Sequence, residues 1–395
     1  MVGLPRLLVA VALVPGARAY PGTCATARAR GLTCADENVT TADGYVLQVH
    51  RVAMAGGRFD GGDGGSTGPP RVALLQHGLV DSGETWVANY GNESLAYQLA
   101  SRGWVVYLAN SRGRPPFWHA TLSPDDDAFW AFSWDEMAVL DLPATVDHAL
   151  RATGAASLSY AGHSQGTTLA MVGMGEVPAL AAKIDVAALL APVGILRHGG
   201  LANFTALWRA SRWLCDELPE TCDMSLWDAI HHAAPVLCNA VTYPGCVDLL
   251  CDFAGCQSHG GYNRSVLVDV VFAGSYFAGT SYRNLEHYDQ MERINETALR
   301  KFDFGNATAN VAAYGTPSPP AYDLSKFRGR AAAFVGTADR MVHEEDALAT
   351  LGMLTNADFV RPHALVDGYG HGDFIWAVDA GADLYPAVVA VLEGG

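Results

Sequence analysis

Gly162-His163-Ser164-Gln165-Gly166 sets a serine between two glycines at a point where a strand would hand over to a helix. The run Leu158–Ala161 ahead of it is apolar and reads as a buried strand, and Thr167–Val172 behind it can start a helix. A sharp turn at that junction needs flanking residues without a Cβ. Such a turn lifts the serine hydroxyl above the sheet and aims the free N–H groups of the helix start at negative charge forming beside it. A serine hydroxyl is a poor nucleophile near neutral pH. It needs a base within hydrogen-bond reach and a carboxylate to orient that base.

Both partners occur downstream, each after an apolar run. Asp339 closes Val335-Gly336-Thr337-Ala338-Asp339, and His371 stands in Gly368-Tyr369-Gly370-His371-Gly372-Asp373-Phe374. The order serine, acid, histidine is the one used when a nucleophile sits on a strand–turn–helix elbow of a parallel sheet. His363 and His343 compete for the base, and Asp367 and Asp373 for the acid. His363 falls inside a strand pattern and His343 follows the acid closely, so Ser164, Asp339 and His371 form the candidate catalytic set. An oxyanion takes two donors. The N–H of Gln165, next after the nucleophile, is one; the other comes from Gln76-His77-Gly78-Leu79, where Gly78 permits close approach and Leu79 N–H is the candidate donor. His77 and His163 flank these elements and read as packing and hydrogen-bonding residues.

The elements that must hold these loops alternate. Tyr45–His50, Val72–Leu75, Val105–Ala109, Leu158–Ala161, Val186–Val193, Ala331–Val335 and Phe359–Val366 read as strands. A helical stretch near Ser94–Ala100 separates two of them, which argues α/β architecture with a mostly parallel sheet flanked by helices. Ser133-Trp134-Asp135-Glu136 is a capping box, and Pro143 predicts a kink or restart in the helix behind it. Residues 196–314 lose the alternation and gather tryptophans and cysteines, so they are expected to be an inserted, mainly helical cap domain. Phe204, Trp208, Trp213, Trp227, Phe272 and Phe277 there would line an apolar groove or pack the cap's own core. The core domain is then 20–195 plus 315–395. Residues 20–70 form its N-terminal region and end in a Gly-rich loop over 56–70.

The 395 residues are half hydrophobic and carry a formal net charge of −16. An acidic chain repels phosphate backbones, which argues against a nucleic-acid partner. Residues 1–19 read as a signal peptide: Arg6, a short apolar run Leu7–Val14, then Ala17-Arg18-Ala19. No later stretch suits a transmembrane segment. Eight cysteines, Cys24, Cys34, Cys215, Cys222, Cys238, Cys246, Cys251 and Cys256, include no C-x-x-C and suit disulfides. Cys24 and Cys34 can form a local pair, and the other six allow fifteen pairings. Asn-x-Ser/Thr sequons at Asn38, Asn92, Asn203, Asn263, Asn295 and Asn306 agree with a glycosylated, secreted protein, or one of a lysosomal or vacuolar lumen.

The chain resembles the acid lipase family, which includes gastric and lysosomal acid lipases and plant and algal triacylglycerol lipase-like proteins. The resemblance spans some nine-tenths of the chain. It rests on Thr41-Ala-Asp-Gly-Tyr-Val-Leu47, Leu75-Gln-His-Gly-Leu-Val-Asp-Ser82, Ala109-Asn-Ser-Arg-Gly113, Phe129–Met137 with Asp141-Leu-Pro-Ala144, the Gly-His-Ser-Gln-Gly elbow, Ser318–Asp323 and Tyr369–Ile375. It implies an α/β-hydrolase fold with a helical cap and hydrolysis of neutral lipid esters at a lipid–water interface, with no cofactor and no metal. The family pattern falls on the same five positions: Ser164, Asp339 and His371 for catalysis, Leu79 and Gln165 for the oxyanion. Two readings compete with ester hydrolysis: acyl transfer to an alcohol by the same residues, and a hydrolase-like lipid-binding protein without turnover. The chain departs from the family at Gly372, where an aliphatic residue is usual.

Overall fold

The computed structural model describes residues 22–55, 69–198, 261–267, 279–294, 296–361 and 363–394, and also residues 59, 200, 245, 247, 248, 251 and 255. The expected signal peptide, most of the Gly-rich loop, five of the six cap cysteines (all but Cys251), the six cap aromatics and the sequons at Asn203 and Asn295 lie outside the described residues.

Ten strands form one sheet: β1 Leu32–Thr40, β2 Tyr45–Met54, β3 Val72–Gln76, β4 Val105–Ala109, β5 Trp118–His119, β6 Leu158–His163, β7 Ile184–Leu190, β8 Gly329–Gly336, β9 Ala357–Phe359 and β10 Ala364–Val366. The order is β1-β2-β4-β3-β6-β7-β8-β10, with β5 beside β2 and β9 beside β8. From β4 to β10 every pairing is parallel, whereas β1, β2 and β5 join antiparallel. The short apolar runs are explained by burial on both faces. Side chains alternate with the period of two that a strand imposes. Val72, Leu74 and Tyr107 enter one core with helices Leu142–Thr153 and Gln165–Glu176, whereas Ala73, Leu75 and Val106 enter the other with Leu95–Ala100 and Tyr385–Leu392.

Three sequence expectations need correction. Phe359–Val366 is not one strand. Ala357–Phe359 pairs with Gly329–Ala331 and Ala364–Val366 with Phe334–Gly336, so two extra residues bulge between two short pieces on the same edge of β8. The sequence puts Pro362 in that gap, and proline has no N–H to give a ladder. His363 therefore sits in a break, not within a strand. The strand expected over Val186–Val193 spans Ile184–Leu190 instead, because Ala191 takes φ +50° and ends it. Finally, Leu32–Thr40 is a nine-residue strand that the sequence reading passed over; its mixed polar composition suits an edge, where only one face is covered.

The Ser133 capping box forms, with Glu136 accepting from the Ser133 N–H. Behind it Met137–Asp141 make a π-helical turn, and a regular helix restarts at Leu142 with Pro143 in its first turn, where its missing N–H costs nothing. No helix among the described residues is long and apolar enough to cross a membrane. Asn38, Asn92 and Asn306 are exposed.

Cys24 and Cys34 are disulfide-bonded, joining the helix Thr23–Ala29 to β1. A cross-link over a separation of 10 residues restricts the unfolded chain by about 3 kcal/mol. Cys24→Ser with Cys34→Ser is expected to lower unfolding free energy by roughly that amount in denaturant titration. An unchanged midpoint would show that the bridge does not contribute.

Candidate active site

Every candidate loop leaves the carboxyl end of a strand of the parallel part of the sheet. Ser164 follows β6, Gln76–Leu79 leads out of β3, Asp339 follows β8 and His371 follows β10. A crevice at those ends is where open α/β sheets carry their sites.

Ser164 stands at φ +53°, ψ −121°, at the start of the helix Gln165–Glu176. That conformation is strained for a residue with a side chain. The turn closes because its neighbours are glycines. A Cβ on Gly162 would lie 2.7 Å from the Gly166 backbone, and one on Gly166 would lie 2.7 Å from the Gln76 carbonyl. Val80 and Ala191, the other non-glycine residues at positive φ among the described residues, also follow strands at this end of the sheet.

The Ser164 Oγ is 2.7 Å from His371 Nε2, and His371 Nδ1 is 2.7 Å from Asp339 Oδ2. All three side chains are buried. Asp339 Oδ1 accepts from the amides of Met341 and Val342 at 2.8 Å, so the aspartate is also a turn residue and its carboxylate cannot swing. The His371 carbonyl accepts from His163 Nε2 at 2.9 Å, which pins the backbone of that loop to the residue before the serine. Burial and the neighbouring His371 hold the His163 imidazole well below its usual range, so it stays neutral. His343 and Asp367 are exposed, and His363 packs edge-on to Phe359; none of these three rivals reaches Ser164.

Asp373 is buried, but as a support. Its Oδ2 accepts from the Gly370 amide at 2.7 Å and its Oδ1 from the Tyr262 hydroxyl at 2.6 Å. Leu79 is half-buried, and Gly78 touches the nucleophile, since a Cβ there would sit 3.0 Å from Ser164 Cβ. Gln165 is buried; its side-chain oxygen accepts from Asn284 Nδ2 at 2.9 Å. Asn284 lies on the helix Tyr282–Ile294, and its own oxygen accepts from the Trp134 amide at 2.8 Å. Sequence reasoning missed Tyr262 and Asn284, because a lone tyrosine or asparagine carries no pattern.

The family model described as the partial alpha/beta-hydrolase lipase region matches residues 23–90. Human lipase member M is 32% identical over 368 residues, covering 92% of this chain and 84% of that protein. Gastric triacylglycerol lipase of Bos taurus is 34% identical over 366 residues, covering 90% and 86%. The chain belongs to the acid lipase family. In fold it is similar to the crystal structure of a candidate lipase from Sulfolobus solfataricus, with a TM-score of 0.53 at 14% identity over 92% of this chain and 94% of that one.

Three of the segments in which it resembles other acid lipases meet at one buried cation. Arg112 bonds Asp141 Oδ1 through Nε at 2.8 Å and Nη2 at 2.7 Å, and Asp43 through Nη1 at 2.6 Å and Nη2 at 3.0 Å. Its amide bonds Asp141 Oδ2 at 2.9 Å, and its guanidinium lies 4.0 Å from the Tyr45 ring centroid. Thr41-Ala-Asp-Gly, Asn-Ser-Arg-Gly and Asp-Leu-Pro-Ala are thus joined by the ion pairs of one buried arginine. At Gly372 the constraint is steric: a Cβ there would lie 2.7 Å from the Trp376 ring, so a side chain does not fit while the indole keeps its place.

Glu84, five residues after Leu79 in the chain, is fully buried. Burial pushes its carboxyl up to about 8, against the opposing charge of Arg114, and Thr26 Oγ1 donates to it at 2.8 Å. A carboxyl raised in the folded state binds a proton that the unfolded chain releases near 4.5. Its stabilising effect is complete below that pH and is lost as pH rises through about 8. Glu84→Gln is expected to flatten the fall in melting temperature between pH 6.5 and 8. An unaltered slope in that window would assign the fall to other groups.

Proposed function

We propose that this acid lipase is a serine carboxylic-ester hydrolase acting on neutral lipid esters, triacylglycerol or sterol ester, through an acyl-enzyme. The observation that carries the reading is the unbroken chain Ser164 Oγ–His371 Nε2–Asp339, each link 2.7 Å long, on an elbow that only glycines permit. Family membership with lipase member M and gastric triacylglycerol lipase supports the substrate class.

In this reading His371 Nε2 takes the Ser164 proton as Oγ attacks the ester carbonyl carbon. Asp339 holds the Nδ1–H tautomer and stabilises the imidazolium that forms. The amides of Leu79 and Gln165 receive the oxyanion. When the tetrahedral intermediate collapses, the carbon–oxygen bond to the alcohol breaks, and His371 returns the proton to the leaving oxygen. Water then attacks the acyl-Ser164 ester, giving its proton to His371, and the fatty acid departs as Ser164 is restored. Each buried acyl methylene contributes about 0.8 kcal/mol, so a long chain supplies several kcal/mol after ordering costs. Residues 196–314 are read as the cap over this site, and residues 1–19 with the Cys24–Cys34 bridge support a secretory-pathway address.

A fluorophosphonate probe tests the chemistry: the native protein is expected to label and Ser164→Ala to stay unlabelled. Equal labelling of both would sink it. Turnover profiled over triacylglycerols, sterol esters and short esters tests the substrate, with preference for water-soluble acetyl esters counting against a lipase. Accumulation of a transfer product with an added alcohol, at the expense of free acid, would favour acyl transfer.

A further inference from the structure

We propose that His77 is a positioning residue for oxyanion binding: its ring ties the Gly78 carbonyl to the Ser111 amide, fixes the plane of the Gly78–Leu79 peptide and so aims the Leu79 N–H. The inference rests on the reading above, in which that N–H is an oxyanion donor.

The ring is 4% exposed and bonded at both nitrogens. Nδ1 lies 2.7 Å from the Gly78 carbonyl oxygen, and Nε2 lies 3.1 Å from the Ser111 amide nitrogen. A carbonyl only accepts and an amide only donates. The pair therefore selects one neutral tautomer, with the proton on Nδ1 and a bare Nε2. A doubly protonated ring would set an N–H against the Ser111 N–H. Burial, joined by the charge of Arg114, holds the imidazole down to about 4, so the neutral form persists well into the acidic range.

The geometric consequence follows from peptide planarity. The Gly78 carbonyl and the Leu79 N–H belong to one trans unit and point in opposite directions. Holding the carbonyl on the His77 side turns the Leu79 N–H away from it. On the other side Gly78 abuts the nucleophile: its missing Cβ would lie 3.0 Å from Ser164 Cβ, 3.3 Å from His163 Nδ1 and 3.5 Å from Ser164 Oγ. Close approach demands a glycine, but a glycine imposes almost no restraint on its own peptide planes. The orientation that a side chain would otherwise restrict must come from an outside tether, and His77 is that tether.

The tether has a fixed anchor. Ser111 follows β4, which pairs with β3 at Gln76 and Ala109, and Gln76 Nε2 also donates to Ser111 Oγ at 3.1 Å. The next residue, Arg112, locks this loop to the buried Asp141.

Two variants separate the two bonds. In His77→Asn the amide nitrogen takes the place of Nδ1 and can still donate to Gly78. In His77→Gln the amide reaches the place of Nε2, serves Ser111 and leaves the Gly78 carbonyl untethered. Loss of one oxyanion donor lowers kcat by about 10²–10³-fold. His77→Gln is expected to lose about 10²-fold in kcat, with KM within about threefold and a parallel loss of affinity for a trifluoromethyl ketone. His77→Asn is expected to stay within about tenfold of wild type in kcat. Equal kcat in the two variants, or a loss confined to KM, would overturn the assignment. Nitrogen-15 spectra of the histidine-labelled wild type give a check independent of variant folding: Nδ1–H is expected for His77, and an Nε2–H tautomer would overturn it. The wild type also separates the two layers of inference. If it neither labels with fluorophosphonate nor turns over ester, the hydrolase reading fails and this one with it. If it does both and the variants do not differ, only the role of His77 fails.

Discussion

Replacing Ser164 with alanine is expected to lower kcat on a neutral ester by about 10⁶-fold, with His371→Ala costing about as much and the double variant little more. The reason is geometric. Ser164 Oγ and His371 Nε2 share one hydrogen bond of 2.7 Å, and removing either end leaves the other without a task. Residual activity would come from substrate binding and the backbone donors, which neither change touches. Asp339→Asn is expected to cost about 10⁴-fold while leaving the fold intact. Its Oδ1 can still accept from the Met341 and Val342 amides, but the amide that replaces Oδ2 presents an N–H to His371 Nδ1 and selects the wrong tautomer. Kinetics on a soluble and an emulsified ester, with melting curves as a fold control, give the comparison. Additive losses in Ser164→Ala/His371→Ala would mean that the two residues do not act as a unit.

The second large effect is on stability. Arg112→Ala is expected to lower unfolding free energy by about 3–5 kcal/mol, because it strands Asp141 without its cation. The Asp141 carboxylate is 4% exposed and receives three hydrogen bonds from Arg112, one of them from the backbone. Burial already pushes its carboxyl up, and Arg112 is what opposes that. Without the guanidinium the carboxyl rises further, and its protonated form becomes the tolerable one. The folded state then binds a proton that the unfolded chain has released, so the damage grows as pH rises and shrinks in acid. Arg112→Lys is expected to recover only part of the loss, because an ammonium cannot serve Asp43 and Asp141 bidentately. Urea titrations at pH 5 and pH 8 measure both features. A pH-independent difference would place the damage in lost packing against Tyr45, not in the stranded charge.

How much of the site could be read from residues alone varies with how local each determinant is. Ser164 was legible because strand, glycine, serine, glycine and helix are contiguous, and each glycine is demanded by a backbone contact within that same turn or against the adjoining strand. Asp339 and His371 were legible as loops after apolar runs, and the structure brings both to the serine. The broken edge at β9 and β10 was not legible, since Phe359–Val366 satisfies the composition of a strand and only pairing with β8 shows the two-residue bulge. β1 was passed over for the opposite reason: its polar residues hide a strand that pairs along its full length with β2.

Residue types and spacing alone locate the elbow at residue 164, most of the strands and helices between β2 and β8, and the residue types on the loops that follow. These depend on hydrophobic period and on the φ/ψ limits of single residues, which act over a few positions. Packing across the sheet, not chain pattern, joins Arg112 to Asp43 and Asp141, sets Asp373 against Gly370 instead of the histidine, brings Asn284 to Gln165 and lets His77 span two loops. Those bonds connect residues whose chain separation carries no periodic signal. They form because β3, β4, β6, β8 and β10 end at one edge of one sheet and bring buried polar groups close, where each must find a partner or carry a desolvation cost.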